Sequence, residues 1–309
     1  MARKILIDTD PGIDDAMALA LALSEPALDV LAVTATGGNV APDQATRNLQ
    51  IILEQLDPPH WPRIGAALPD QIPRADAREI HGPDGLGGVD FRVSELQNRH
   101  RADKLISDTV RSHPGEVTVL ALGPLSNIAA ALRREPDIAG LIGHLVMGGG
   151  SITAPGNASP VAEFNVFCDA AAAQFVFRSP VTKTLIPLDV TRQILFEYGF
   201  LDQLPRTSTR IGALLRRILP SAFRSFYQRL GIEGIHLHDV IALTAAVQPS
   251  LFKTERLYAD VETEGELTHG MTVFDRRFVA PDQPNLDVAV EADVAGVMDF
   301  ILRSLARAG

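Results

Sequence analysis

The sequence predicts an α/β fold in which a mostly parallel central sheet carries helices on both faces. Short β-branched runs alternate along the chain with longer segments of helical periodicity. The short runs are continuously apolar, which is typical of strands that are buried on both faces of a parallel sheet. No repeat, low-complexity tract or Pro/Gly-rich linker divides the chain, so we expect a single domain over residues 1–309.

The strands and helices are predicted in a regular order. The strands are Ile5–Ile7, Val30–Thr34, Val117–Leu122, Leu145–Met147 and Thr184–Pro187. The helices between them are Ala16–Ser24, Pro42–Leu56, Ala102–Ser112, Ser126–Arg134 and Ala170–Phe177. This alternation predicts a Rossmann-like arrangement. A late hairpin is predicted from Leu257–Glu262 and Met271–Arg276, and the proline-rich stretch Leu56–His81 is predicted to be a long surface connection.

Composition and charge restrict the classes of partner. The 309 residues are 46% apolar and 21% charged, as in an ordinary globular chain. A formal charge of −10 and a pI near 5.3 argue against nucleic acid or an anionic membrane, because both would repel such a surface. The single cysteine, Cys168, excludes an internal disulfide, and we expect it to be buried in the core. With no leader-like or membrane-spanning segment, the sequence predicts a cytoplasmic protein.

Four aspartates are crowded into the first loop. Asp8-Thr-Asp-Pro-Gly-Ile-Asp-Asp15 directly follows the apolar run Ile5–Ile7, and ligands of α/β sheets bind where strands end. One or two acids could cap the following helix. Four ionised carboxylates would repel and raise one another's pKa values unless a cation lay among them. Oxygen donors favour a hard divalent ion, so the loop predicts a calcium or magnesium site.

Two later segments offer further ligands. Ala121-Leu-Gly-Pro-Leu-Ser-Asn-Ile-Ala129 follows a predicted strand, and its Gly-Pro pair ends the strand so that carbonyl groups can point outward. His238 and Asp239 stand at the predicted start of another helix. Taken alone, the first is equally compatible with a routine β-α turn and the second with a helix cap. Together with the aspartates, they predict one shared site at the carboxyl edge of the sheet.

The aspartate loop resembles the amino-terminal signature of the calcium-dependent nucleoside hydrolases of the inosine-uridine preferring type. Further motifs follow in the order and at close to the spacing of that family: Thr36-Gly-Gly-Asn39, His81-Gly-Pro-Asp-Gly-Leu-Gly-Gly88, Gly123-Pro-Leu-Ser-Asn127, Met147-Gly-Gly-Gly150, Gly156-Asn157, Ala162-Glu-Phe-Asn165 and His238-Asp239. The resemblance implies the nucleoside hydrolase fold and hydrolysis of ribonucleosides to ribose and a free base. It also implies a place in purine and pyrimidine salvage and a homodimer or homotetramer.

The resemblance implies a role for each matching residue. Calcium would be bound by the side chains of Asp10, Asp15 and Asp239, the main-chain carbonyl of Ser126, two ribose hydroxyls and a water. Asp10 would be the general base acting on that water, with Asp8 behind it as a support. The ribose would be bound by Asp14, Asn39, Asn157, Glu163 and Asn165. Met147 and Tyr227 are two further candidates for binding substrate. An anionic pocket suits this reaction, since positive charge develops on the sugar in the transition state.

Local spacing adds expectations for some of these side chains. Glu163 and Asn165 are two apart in what we expect to be an extended segment, so they would face the same side. Adjacent residues on a helix diverge by about 100°, so Asp239 can face the metal while His238 faces another part of the pocket.

Two histidines match positions near the leaving base. His81 and His238 are therefore the candidates for assisting its departure, and two imidazoles suggest uridine or inosine among the substrates. We expect His236 to be structural. The aromatic side chains of Phe223-Arg-Ser-Phe-Tyr-Gln-Arg229 could stack on the base or equally form one face of an ordinary amphipathic helix.

The sequence departs from the family pattern at three places. Val240 replaces a proline that usually follows the His-Asp pair, the loop from Gly150 to Asn157 is slightly long, and residues 195–235 resemble the family weakly.

Two other functions stay open at this point. A haloacid-dehalogenase-like phosphatase would use Asp8 as nucleophile and Asp10 as acid, but Pro11-Gly12 stands where that class carries Gly-Thr. A non-catalytic ribose- or metal-binding module would account for the ligands, but it would give Asp10 and the two histidines no function.

Overall fold

The computed structural model describes residues 2–94, 100–277 and 283–308, and within them the strands form one ten-stranded sheet. The strands are β1 Arg3–Thr9, β2 Leu28–Ala35, β3 Arg63–Ala66, β4 His100–Arg101, β5 Thr118–Ala121, β6 His144–Gly148, β7 Lys183–Ile186, β8 Phe252–Val261, β9 Thr272–Asp275 and β10 Leu286–Ala292. The helices are α1 Ile13–Ser24, α2 Pro42–Leu56, α3 Arg78–His81, α4 Ala102–Ser112, α5 Ser126–Arg134, α6 Phe164–Cys168, α7 Ala170–Arg178, α8 Leu188–Thr191, α9 Arg210–Ser225, α10 His238–Val247 and α11 Val294–Ala308.

The sheet is mostly parallel, as the sequence predicts. Its strand order is β4-β3-β2-β1-β5-β6-β7-β10-β8-β9. Neighbours from β4 to β10 run parallel, whereas β8 is antiparallel to both β10 and β9. The predicted late hairpin is therefore confirmed, with Ala259 opposite Phe274.

One expectation for the early part of the chain is wrong. The stretch Leu56–His81 is not only a surface connection, because β3 lies inside it and pairs in parallel with β2. The prolines that suggested a loop stand on either side of the strand, at Pro62 and Pro69, so the backbone N–H groups of β3 remain available for the sheet.

Helices cover both faces of the sheet because alternate strand residues point to opposite sides. Ile5 and Ile7 pack in a core with α1, α9 and α10, whereas Leu6 packs in a second core with α5 and α7. Cys168 is buried, as expected. In the described part of the chain, no helix is both long enough and apolar enough to cross a membrane.

The parallel arrangement brings several loops to one edge. β1, β2, β5, β6 and β7 all end there, because neighbouring strands run in the same direction. α10 begins beside them and packs against α1 and β6. Residues that are far apart in sequence therefore meet at the carboxyl edge of the sheet.

Candidate active site

A cavity of about 570 Å³ opens at the carboxyl edge of the sheet, a volume suited to a small ligand. Its polar lining contains predicted site residues from several loops: Asp10, Asp14, Asn39, His81, Asn157, Glu163, Asn165, His238 and Asp239. The apolar part of the lining includes Ile80, Ala222, Phe226, Leu230 and Ile232. The fold thus gathers most of the predicted residues in one pocket.

Asp10 lies just past the end of β1, packed against two glycines. The backbone N–H of Asn39 donates to its Oδ2 at 2.8 Å. A Cβ on Gly38 would lie 2.0 Å from Oδ2, and one on Gly123 would lie 2.6 Å from Oδ1. Any side chain at either glycine would displace the carboxylate, which is why the loops after β2 and β5 carry glycine at these positions.

Asp15, in the first turn of α1, is held by a hydrogen-bond network. The hydroxyl of Thr9 donates to Oδ1, and the N–H of Gly12 donates to Oδ2 at 2.9 Å. The side-chain amide of Asn39 donates to Asp15 Oδ2 at 3.1 Å and to the carbonyl of Asp10 at 2.9 Å. Both amide hydrogens of Asn39 are occupied in this way, so its Oδ1 is the atom left for a ligand.

Three carboxylates form the closest acidic group. Asp14, Asp15 and Asp239 each place one oxygen within 4.8 Å of the others. Burial raises the pKa of Asp14 to about 6. Burial, followed by the charges of Asp14, Asp15 and Asp10, raises the pKa of Asp239 well above its ordinary value. Buried carboxylates that repel one another fit a bound cation, and an all-oxygen donor set suits a hard divalent ion.

The predicted ligand set overlaps with this group without matching it. Asp15 and Asp239 belong to it, and Asp14, which was expected at the ribose, is its third member. Asp10 lines the same cavity. Its pKa is raised first by burial and then by the charge of Asp15. The four acids therefore act on one another electrostatically.

Ser126, the other predicted ligand, begins α5 and lies outside the cavity lining. Its carbonyl accepts a hydrogen bond from Nε2 of Gln71 at 3.2 Å. Its hydroxyl donates to Asp169 at 2.7 Å.

Asp8 sits behind the cavity and joins the ends of neighbouring elements. Its Oδ1 accepts hydrogen bonds from the hydroxyl of Thr34 and, at 2.8 Å, from the amide of Asn127. That amide also donates to the carbonyl of Ala35 at 2.8 Å. Burial raises the pKa of Asp8 to about 7. Asp8 itself lies outside the cavity lining, and its supporting role stays a prediction.

Glu163 and Asn165 both line the cavity, but the extended segment expected for them is wrong. Glu163 is the N-cap of α6, and Asn165 lies in the first turn of that helix. The Glu163 carboxylate accepts the backbone N–H groups of Asn165, Gly150 and Val166 at 2.9, 3.0 and 3.1 Å. The carboxylate thereby satisfies the free N–H groups of Asn165 and Val166 at the helix start, so capping decides the local conformation.

Asparagine side chains leave defined atoms for a ligand. Oδ1 of Asn157 accepts the N–H of Phe164 at 2.8 Å, so its Nδ2 is left to donate. Nδ2 of Asn165 donates to the carbonyls of Leu122 and Gly148 at 2.6 and 3.1 Å, so its Oδ1 is left to accept.

His81 and His238 are neutral in this environment. Nδ1 of His81 accepts the backbone N–H of Ile13 at 3.1 Å, so the neutral ring carries its proton on Nε2. Nδ1 of His238 lies 2.7 Å from the hydroxyl of Thr191. Burial lowers the pKa of His81 to about 4 and is the main reason why the pKa of His238 falls to about 3.

His236 was expected to be structural, yet it lines the cavity. Its ring stacks on that of His238, with centroids 5.7 Å apart and planes 27° from parallel. Nδ1 hydrogen-bonds the carbonyl of Ile194 at 2.9 Å. The spacing His236-Leu-His238 alone could not show this, because α10 begins only at His238 and the preceding residues are irregular.

Arg192 is a cavity residue that sequence reasoning missed. Its guanidinium donates to the carbonyls of Pro155 and Gly156, directly before Asn157. Its place in the sequence could have identified it. Asp189-Val-Thr-Arg192 follows the predicted strand Thr184–Pro187, so it stands at the same edge of the sheet as the other site loops.

Two predicted substrate residues lie outside the cavity lining. Met147, in β6, is 1% exposed and packs in the core with α5 and α7, because its side chain points to the sheet face opposite the site. Tyr227 is 56% exposed. Its neighbour Phe226 lines the cavity instead. Both residues lie in the π-helical turn Phe226–Leu230 that follows α9, where adjacent side chains point in different directions.

Comparison with known proteins gives consistent matches over nearly the whole chain. The family model described as "Inosine-uridine preferring nucleoside hydrolase" matches residues 5–299. The non-specific ribonucleoside hydrolase RihC of Salmonella enteritidis is 38% identical over 305 residues, which cover 98% of both chains. The inosine-uridine preferring nucleoside hydrolase of Leishmania major is 36% identical over 316 residues, covering 100% of this chain and 99% of that one. The solved purine-preferring ribonucleoside hydrolase from Gardnerella vaginalis matches with a TM-score of 0.90 at 31% identity and covers 99% of each chain.

Proposed function

Because this chain belongs to the inosine-uridine preferring nucleoside hydrolase family, we propose roles for its cavity residues in that family's reaction. The protein is a nucleoside hydrolase, which uses water to split the N-glycosidic bond of a ribonucleoside. The observation that carries the assignment of roles is the single cavity that combines clustered carboxylates with neutral imidazoles. The alternative of a phosphatase is not favoured.

We propose that the acidic group holds calcium. Asp15 and Asp239 would bind the ion, with Asp10 and the main-chain carbonyl of Ser126 as further donors and Asp14 beside them. The mutual repulsion of these buried acids and their all-oxygen chemistry support the proposal. When bound, the ion supplies positive charge that orients the sugar hydroxyls and acidifies a neighbouring water.

Asp10 is the proposed general base. Asp10 takes a proton from water while the water oxygen bonds to C1′ of the ribose. The electron pair of the C1′–N bond then leaves with the nucleobase. The carboxylate of Asp10 lines the cavity, where it can reach a water beside the sugar. The N–H of Asn39 fixes the orientation of Asp10.

The ribose would be held by the atoms that the asparagine network leaves unused. These are Oδ1 of Asn39, Nδ2 of Asn157 and Oδ1 of Asn165. The carboxylates of Asp14 and Glu163 lie in the same lining. Their negative potential would favour the positively charged, oxocarbenium-like sugar over the neutral substrate.

His81 and His238 are the proposed aids to the leaving base. Nε2–H of His81 can donate to an acceptor on the base, because Nδ1 is engaged with the backbone. The three relatives described above carry names with three different base preferences, so we draw the base proposal from the pocket alone. We propose that uridine and inosine are among the substrates.

Product analysis tests the proposal directly. The protein is incubated with ribonucleosides and, separately, with sugar phosphates, and free base, reducing sugar and phosphate are measured together with metal content. We expect base and ribose in equal amounts, calcium in the protein and no activity after chelation. Phosphate release without base release would refute the proposed function, and full activity after chelation would refute the metal.

We also propose a cytoplasmic homodimer or homotetramer formed by a single domain over residues 1–309. Sedimentation at micromolar concentration should give a mass that is a multiple of the 33.3 kDa chain. A mass equal to that of one chain would refute the oligomer.

A further inference from the structure

His236 differs from the other two cavity histidines in the partner of its Nδ1. In His81 this nitrogen accepts a backbone N–H, and in His238 it meets a hydroxyl, which can either donate or accept. In His236 it lies 2.9 Å from the carbonyl oxygen of Ile194. A carbonyl can only accept, so Nδ1 of His236 must carry the proton.

The fixed proton decides what His236 offers to the cavity. In a neutral imidazole only one nitrogen carries hydrogen, so Nε2 of His236 presents a lone pair. Burial lowers the pKa of this ring, which keeps it neutral near pH 7. Among the described residues, the hydrogen bonds of His236 involve only Nδ1. Nε2 is therefore an acceptor without a protein partner on a ring that lines the cavity.

Two other polar side chains of the lining offer hydrogen. Nε2 of His81 is a donor, and the guanidinium of Arg192 has no lone pair to give. The side chains of Phe226, Leu230 and Ile232, which share the lining, form no hydrogen bonds. A nucleobase beside these side chains meets two donors and apolar surface, and His236 supplies a neutral acceptor.

We propose that Nε2 of His236 accepts a hydrogen bond from a ring N–H of the nucleobase, so that the site selects lactam bases such as uracil and hypoxanthine. The inference rests on the proposed function, because it assumes that the cavity holds a nucleoside. His236 is a specificity-determining residue in this proposal. A nucleobase without a ring N–H would leave the Nε2 lone pair of His236 buried and without a partner. The protein would then bind the transition state of that substrate less tightly.

Two substrate pairs isolate this contact. Uridine has one base N–H, at N3, and 3-methyluridine has none. Inosine has one, at N1, and 1-methylinosine has none. For each pair, kcat/KM is measured for the wild type, His236→Phe and His236→Leu. The ratio within a pair cancels any general loss of activity caused by misfolding or by a changed stack with His238.

The chain offers a closely matched control. His269 also hydrogen-bonds a backbone carbonyl through Nδ1, that of Thr263 at 3.1 Å, and its ring meets Phe167 edge-on. It lies outside the cavity lining. His269→Phe therefore removes the same type of internal hydrogen bond without removing the proposed acceptor.

We expect the wild type and His269→Phe to prefer the N–H substrate in at least one pair, and both His236 variants to lose about five- to tenfold of that preference. Equal losses on both members of each pair, or no preference in the wild type, would overturn the role of His236. If the wild type releases no base from any nucleoside, the proposed function itself fails, and that outcome is distinct from a failure of the His236 inference.

Discussion

Removing the metal should make the thermal stability of this protein strongly dependent on pH. Asp14, Asp15 and Asp239 have oxygens within 4.8 Å of one another. Two unit charges at that distance repel by roughly 3 kcal/mol at an effective dielectric constant of about 20. Three such pairs would approach roughly 10 kcal/mol, comparable with the whole stability of an average domain. Without a cation, part of this repulsion can be relieved only by protonation.

The direction follows from the raised pKa values. The folded-state pKa is about 6 for Asp14 and about 7 for Asp8, against an ordinary value of 3.8. The folded metal-free protein therefore holds more protons than the unfolded chain between these values. Asp8 and Asp14 stabilise the folded metal-free protein most at or below pH 3.8. This stabilisation is lost as the pH rises through 6 to 7.

Melting curves in calcium and in chelator, recorded from about pH 5 to pH 8, measure the effect. We expect the gap between the two melting temperatures to widen with pH and to reach roughly 6 °C or more, as about 3 kcal/mol implies. Asp14→Asn should flatten the pH dependence of the chelated protein. Asp299→Asn, an exposed position on α11, should not. A gap that is constant or that widens on acidification would refute this account of the acidic cluster.

Three further predictions concern activity. Asp10→Asn should lower kcat by at least about 10²-fold. Because Asp10 is also a proposed calcium donor, calcium is measured in the same sample, and near-normal turnover with calcium still bound would remove Asp10 as the base. Gly38→Ala should lower kcat/KM at least about tenfold, because the new Cβ would lie 2.0 Å from Asp10 Oδ2. Gly140→Ala, which meets open space, is its control, and equal activities would contradict the packing argument. Finally, 2′-deoxynucleosides should be cleaved more slowly than ribonucleosides for every base, and equal rates in a product assay would exclude a metal–ribose contact.

The sequence alone determined the fold class and most of the polar side chains that line the cavity. Strand and helix periodicity located α1, α2, α4, α5, α7 and the strands from β1 to β7, apart from β3 and β4, whose short pairings depend on neighbouring strands. Motifs such as Asp8–Asp15 and His238-Asp239 were recognisable because each combines polar side chains with the glycine or helix start that positions them. Local sequence and local geometry agree at these points.

Only the tertiary structure decided which side chains line the rest of the cavity. Whether Phe226 or Tyr227 faces the cavity depends on the rotation of one helical segment. The role proposed for His236 depends on the carbonyl of Ile194, which is 42 residues away in sequence. Motif spacing reports which backbone groups follow a strand, but the direction of a side chain and the partner that fixes its proton are set by packing between distant segments. The sequence does not show whether a histidine donates a hydrogen bond, accepts one or only packs against its neighbours. That depends on the residues that surround it in the folded protein.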